Sequence, residues 1–239
     1  MISDVHGNLH ALEAVLAAVA REAPDEVWCL GDLTGYGPRP NGCCSRVREL
    51  AAVSLVGNHD LGVLGHLDLN DFSPDAAESA RWTSSVLASR ERAWLASLAP
   101  RGESHGVGLY HASPRDPIWE YVLSADVAAE SLLAATEPLI LVGHSHVPLA
   151  FGGADGALSG WLAPDGTEVD LASGERWLLN PGSVGQPRDG DPRAAYAVLD
   201  LGAGRAAFRR VPYPVEQTQE EIADAGLPPA LAARLEHGL

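Results

Sequence analysis

The chain has 239 residues and a formal net charge of −16, and all 16 of its basic residues are arginine. That acidity speaks against a broad footprint on nucleic-acid phosphates, and the lack of lysine excludes a P-loop lysine, a Schiff base and a Ser–Lys pair. Three cysteines, two of them adjacent, fit a reduced interior, no apolar run reaches the ~20 residues of a membrane helix, and the N-terminus lacks signal-peptide order; a cytoplasmic, soluble chain without membrane contact is expected.

Leu9, Leu12, Val15, Leu16 and Val19 recur at helical spacing and predict a helix over residues 9–21, with Asn8 as its N-cap. Residues 27–30 read as a short buried strand closing on Gly31-Asp32, residues 46–51 as helix, and residues 53–56 as a strand closing on Gly57-Asn58. This β-α-β order predicts parallel strands with helices on their faces. Ser73-Pro74 opens a helical region over residues 75–98, and Pro100 ends it. A strand over 107–110 closing on His111, a helix over 125–135 and a strand over 139–142 follow. Beyond Pro148, turn signals at Gly152-Gly153, Pro164-Asp165-Gly166, Ala172-Ser173-Gly174 and Leu201-Gly202-Ala203-Gly204 separate short strand-like runs. The best of these are residues 177–179, 195–199 and 205–211, the last two forming a hairpin, and two short helical stretches lie within 215–235. The expected organisation is one domain over 1–239, with a helical insertion around 73–100 and a helical tail over 215–239.

Each strand end carries polar chemistry. The first ends in SDVHGN, with Asp4 and His6; the second in Gly-Asp, with Asp32; the third in GNHD, with Asn58, His59 and Asp60; later ones end in His111 and in GHSH, with His144 and His146. Ligand sites in open α/β sheets collect outside the carboxyl ends of the strands, so all of these residues are expected at one rim. Asp4 and His6, two apart on an extended segment, would share a face. Nitrogen with hard oxygen and no thiolate suits Mn, Fe, Zn, Ni or Co better than Ca. Seven side chains exceed one ion's needs but suit two ions about 3.5–4 Å apart that share a bridging carboxylate.

The order Asp-x-His, Gly-Asp, Gly-Asn-His-Asp, a lone His and Gly-His-x-His resembles the calcineurin-like metallophosphoesterases. It resembles their small bacterial phosphodiesterase-like branch, whose members also carry the NPGSVGQPR found at residues 180–188. The resemblance spans residues 2 to about 213. It implies an α/β fold of two packed mixed sheets flanked by helices (an α/β/β/α sandwich). By motif, Asp4, His6 and His146 would hold a first divalent ion, Asp32 would bridge, and Asn58, His111 and His144 would hold a second, with Mn ahead of Fe, Zn, Ni or Co. The implied reaction is hydrolysis of a phosphodiester or phosphomonoester by water activated between the ions, with His59 facing the phosphate and no covalent intermediate. A small phosphorylated, nucleotide-like substrate is favoured, nucleic acid is disfavoured by charge, and homo-oligomers occur in the branch.

Two departures stand out. Many family phosphatases carry a second acid three residues after the bridging Asp, where this chain has Gly35. Only Met1, Ile2 and Ser3 precede Asp4, a short start for a central strand, which raises the expectation of residues upstream.

Plainer readings compete at several positions. Arg115 and Arg188 would grip a phosphate or make surface ion pairs, and Tyr36 and Asn41 would line the pocket. Asn180 to Ser183 would bring backbone N–H groups to the rim or form a structural turn. His10, His66, His105 and His237 read as surface residues, Cys29 as packing, Cys43-Cys44 as a helix start, and Trp82, Trp94, Trp119 and Trp161 as core or interface residues. A non-catalytic metal-binding scaffold and a phosphoprotein phosphatase are the alternatives, and the competence of all seven ligand positions and His59 disfavours the scaffold.

Overall fold

The structure, a computed structural model, describes residues 1–154, 157–173 and 176–239; the turn predicted at Gly174 lies outside them. Helix α1 (Leu9–Glu22) is followed by β1 (Trp28–Cys29), α2 (Pro40–Leu50), β2 (Val53–Ser54), α3 (Asn58–Leu64), α4 (Pro74–Val86) and α5 (Ser89–Leu95). Then come β3 (Arg101–Ser104), β4 (Val107–Tyr110), α6 (Ala125–Ala134), β5 (Leu139–Leu141), β6 (Pro148–Ala154) and β7 (Ala157–Leu162). The chain continues through β8 (Glu168–Asp170), β9 (Arg176–Pro181), β10 (Ala194–Asp200), β11 (Arg205–Val211), α7 (Val215–Asp224) and α8 (Pro229–Ala233).

Two sheets face each other. One is mixed, in the order β3-β4-β5-β9-β6-β7. The other is assembled from two pieces, the parallel pair β1-β2 and the antiparallel β10-β11-β8. The segment Met1–Ile2 joins them, because Ile2 bridges Cys29 while Met1 exchanges backbone hydrogen bonds with Ala197.

Strand alternation sorts the side chains into layers. Leu139, Leu141, Trp177 and Leu179 point between the sheets, against Trp28, Leu30, Ala197 and Phe208. Their neighbours Ile140, Val142 and Leu178 point outward, against Ala128 and Leu132 of α6. On the far side Ile2, Tyr196, Cys29 and Val184 meet α1 and α2 through Leu12, Val15, Cys43 and Val47. The result is helix, sheet, sheet, helix, as the resemblance implies.

Local departures have local causes. The predicted 75–98 helix is two helices, broken at Leu87-Ala88. There the Asn41 side chain donates to the Val86 carbonyl (2.9 Å) and accepts from the Ala88 N–H (2.7 Å), so Asn41 clasps this break instead of lining a pocket. Gly152 and Gly153 lie inside β6 and not in a turn; a Cβ at Gly152 would sit 2.3 Å from the Trp177 ring, so the glycine admits that ring across the ladder. Helix α2 starts at Pro40, six residues before the predicted onset, with Cys43 and Cys44 fully buried. Helix α3 and edge strand β3 carry too few apolar residues for their periods to show.

Candidate active site

The rim beyond the strand ends is built from left-handed backbone. Asp4 (φ 52°), His6 (48°), Asp32 (50°), Tyr36 (56°), His144 (62°) and His146 (60°) all lie in the region that L-residues rarely adopt. Asp4 and His6 therefore converge through tight turns and not, as expected, along an extended segment. Backbone bonds hold these turns: Asp4 N–H donates to Gly31 O (3.0 Å) and His6 N–H to Asp32 O (2.9 Å). The NPGSVG stretch braces the same loops, with Asn180 Nδ2 donating to Gly143 O (2.7 Å), Ser183 Oγ to Asp4 O (2.7 Å) and Gly185 N–H to Asp4 O (2.9 Å). Of the two readings of this stretch, its contacts are those of a structural brace. Strain of this kind, clustered at one site and held by its surroundings, is a mark of function.

All seven predicted ligand residues meet there, each buried. Asp4, His6 and His146 form one group able to hold a metal ion, and Asp32, His111 and His144 form another. In the first, His6 Nε2 lies 3.0 Å from His146 Nε2, and Asp4 Oδ1 lies 3.5 Å from His146 Nε2. In the second, His111 Nε2 lies 3.2 Å from Asn58 Oδ1. Asp32 Oδ2 stands between the groups, 3.7 Å from His6 Nε2 and 3.5 Å from His111 Nε2. Donor separations of about 3.0–3.5 Å are what ligands held about 2.1 Å from one ion would show.

The hydrogen-bond roles sharpen this. His6 Nδ1 faces the Thr34 carbonyl (2.9 Å), His146 Nδ1 the Gln186 carbonyl (2.6 Å) and His111 Nδ1 the Leu30 carbonyl (2.9 Å). A carbonyl only accepts, so each Nδ1 carries the proton and each Nε2 presents a lone pair. Two lone pairs then oppose each other between His6 and His146, with no proton to share. His144 is turned the other way: its Nε2–H donates to Trp119 O (3.2 Å), which leaves Nδ1 as the free nitrogen.

Burial disfavours the charged forms of His6, His144, His146, Asp4 and Asp32. It pushes the pKa of His6 and His146 well below the usual value and that of His144 down to about 2. It raises Asp4 to about 7 and Asp32 well above the usual carboxylate range, with the nearby Asp60 charge adding to the effect on Asp32. Asp32 Oδ2 is buried with no hydrogen-bond partner. An atom of that kind, surrounded by lone pairs, is what a cation would satisfy.

The Calcineurin-like phosphoesterase superfamily domain matches residues 1–204. The chain belongs to that superfamily. An uncharacterized protein of Methanocaldococcus jannaschii is 38% identical over 98% of this chain and 96% of its own length. Phosphodiesterase YfcE of Escherichia coli is 28% identical over 83% of this chain and 84% of its own. The crystal structure of a metallophosphoesterase from Sphaerobacter thermophilus superposes with a TM-score of 0.91 at 44% identity, covering 100% of this chain and 97% of that one. The superfamily is one of metal-dependent phosphoric ester hydrolases, and this member carries His/Asp groups able to hold metal.

Around those groups, this calcineurin-like phosphoesterase places His59 against three rings: Tyr36 (centroids 4.4 Å apart), His6 (4.8 Å) and Phe72 (5.3 Å). Its Nδ1 is buried without a partner, and burial, then Arg188, lowers its pKa well below the usual value. No acid orients it. Gly35 lies where one would stand, and a Cβ there would meet His59 Nδ1 at 2.7 Å. Asp60 faces away and clamps the bridging loop, accepting from Leu33 N–H (3.2 Å), Thr34 N–H (2.9 Å), Thr34 Oγ1 (2.8 Å) and Gly57 N–H (3.1 Å). Half-buried Arg188 lies against Tyr36, donating to its hydroxyl (3.3 Å) and to Gln186 Oε1 (2.9 Å). Arg115, by contrast, is held in ion pairs with Glu120 (3.0 Å) and Glu130. Phe72 and Tyr121 escaped the sequence reading because neither follows a strand end, and Trp119, expected in a core or interface, stands at the rim.

Proposed function

We propose that this phosphoesterase binds two divalent transition-metal ions and hydrolyses a small phosphodiester or phosphomonoester, nucleotide-like compounds first. Asp4, His6 and His146 would hold one ion, Asn58, His111 and His144 the other, and Asp32 would bridge. The observation that carries the reading is Asp32 Oδ2, buried and unpartnered between His6 Nε2 and His111 Nε2. When bound, such a pair acidifies water and neutralises charge on the phosphoryl oxygens of an in-line displacement. The oxygen and imidazole set suits Mn, Fe, Zn, Ni or Co, and the family resemblance puts Mn²⁺ first.

The remaining work falls to the chain's own side chains. His59 faces the phosphate and passes a proton to the leaving oxygen. Burial, then Arg188, lowers its pKa in the free protein, and a phosphate anion beside the ring would oppose both by stabilising the charged imidazole. Arg188 supplies a guanidinium for two phosphate oxygens. The similarity to phosphodiesterase YfcE supports diesters among the substrates. Three buried free cysteines support a reducing, cytoplasmic setting, and one domain with a helical insertion and tail accounts for the elements.

Turnover of model mono- and diesters, assayed with Mn²⁺ and each competing metal, tests the reading. Asp32→Ala should lose metal and turnover together. Failure of every ester with every metal would end the enzymatic assignment.

A further inference from the structure

The loop from His111 to α6 is fixed by its own polar groups. Ser113 Oγ accepts from the N–H of Arg115 (3.2 Å) and Asp116 (3.0 Å) and bonds Glu120 (2.6 Å). Asp116 Oδ1 accepts from the N–H of Ile118 (3.0 Å) and Trp119 (3.1 Å). This ordered loop delivers two aromatic rings to the mouth of the site. The Tyr121 ring stacks on His144, with centroids 4.1 Å apart and planes 21° apart, yet the residue is 47% exposed. Trp119, half-buried, sets its ring edge-on to Phe72 at 5.1 Å, and Phe72 in turn meets His59 at 5.3 Å. Tyr121 thus lies on a candidate metal ligand, and Trp119 reaches the candidate proton donor through Phe72.

Neither Trp119 nor Tyr121 belongs to a hydrophobic core among the described residues. Holding two large rings at a polar site outside those cores asks for another purpose. An acidic chain gains little from long-range attraction of a phosphate compound, whereas stacking on a ring face is indifferent to charge and accepts any base.

We propose that Trp119 and Tyr121 form a stacking platform for a planar heteroaromatic group, so that the natural ester is that of a nucleoside and not of an aliphatic alcohol or a bare sugar. This rests on the proposed function for its chemistry, but not for its binding.

Adenosine monophosphate and ribose phosphate are the same ester with and without the base. With Mn²⁺ present, the protein should bind the nucleotide about 10-fold or more tightly by calorimetry, and kcat/KM should favour it similarly if both are hydrolysed. Trp119→Ala and Tyr121→Ala should each shrink that preference toward unity, and Trp119→Phe, which keeps a ring, should restore most of it. Equal binding of both compounds by the wild type, or a preference untouched in both alanine variants, would overturn the platform even if both esters are cleaved. Ring-dependent binding without hydrolysis of any ester would instead uphold the platform and remove the proposed reaction.

Discussion

His6 Nε2 and His146 Nε2 face each other at 3.0 Å, each with its Nδ1 proton committed to a backbone carbonyl. Two lone pairs at this distance in a dry interior repel, and Asp32 Oδ2 beside them lacks a donor. The metal-free protein is therefore strained at its centre. Asp32→Asn puts an amide N–H₂ among these acceptors. In chelator, the variant should be more stable than wild type by about 1–3 kcal/mol, a rise of roughly 2–4 °C per kcal/mol in melting temperature. With Mn²⁺ at ~1,000 times its dissociation constant the order should invert, because wild type then gains about 4.1 kcal/mol. Thermal melts of both proteins with and without metal read this directly; an Asn variant that gains as much from Mn²⁺ as wild type would disprove the bridging role.

Burial of Asp4 raises its pKa to about 7, and Asp32 is raised as well, whereas His6 and His146 are already neutral. Protons and metal compete for the carboxylates and not for the imidazoles. Metal affinity should thus climb as pH rises through about 7, where Asp4 ionises, with protons released on binding at about pH 6. Calorimetric titration in buffers of different ionisation enthalpy counts those protons. Finding none at that pH would mean the two acids are ionised before metal arrives.

His59→Ala should leave the ion pair in place and lower turnover by about 10²–10⁴, the range of positioned acid–base catalysis. Metal content by mass spectrometry and kcat for a diester separate the two effects. The loss should be smaller for an ester with a good leaving group, which needs less protonation. A variant that arrives empty of metal would make His59 a ligand, a role for which its place in a group with His6 and Asp32 leaves geometric room.

How far the sequence revealed this site depends on the kind of information each part needs. The convergence of the seven candidate positions was legible because each closes an apolar run, and strand ends converge wherever a sheet is parallel. Parallel strands with flanking helices followed from the β-α-β order, whereas the two-sheet layering came from the family resemblance. The LILV run at residues 139–142 is apolar throughout and does not tell Leu139 and Leu141 from Ile140 and Val142. The left-handed turns at Asp4, His6, His144 and His146 were not legible, since L-residues enter them only under tertiary constraint from Ser183, Asn180 and Gly31. Asp60 could be named but not aimed, because its four donors come from a loop 26 residues and more away and from Gly57. Tyr121 and Trp119 sit in a loop whose shape is set by Ser113 and Asp116, a pattern with no period to read.

Gly35 offers the sharpest test of how His59 is positioned. It occupies the place of the family's second acid, so inserting one there would, on sequence reasoning, supply the missing orienter. The structure argues the reverse. Gly35 has φ +82°, where a side chain is strained, and an added Cβ would sit 2.7 Å from His59 Nδ1 and 3.1 Å from His59 Cβ. The imidazole would have to leave its contacts with Tyr36 and Phe72 before any carboxylate could bond it. Gly35→Asp should therefore cost about 1–3 kcal/mol in a urea melt and lower kcat without lowering metal content. Gly35→Ala should share much of the loss, as the obstruction begins at Cβ. Higher kcat in Gly35→Asp than in wild type would show instead that His59 lacks an acid and that the ring contacts do not position it.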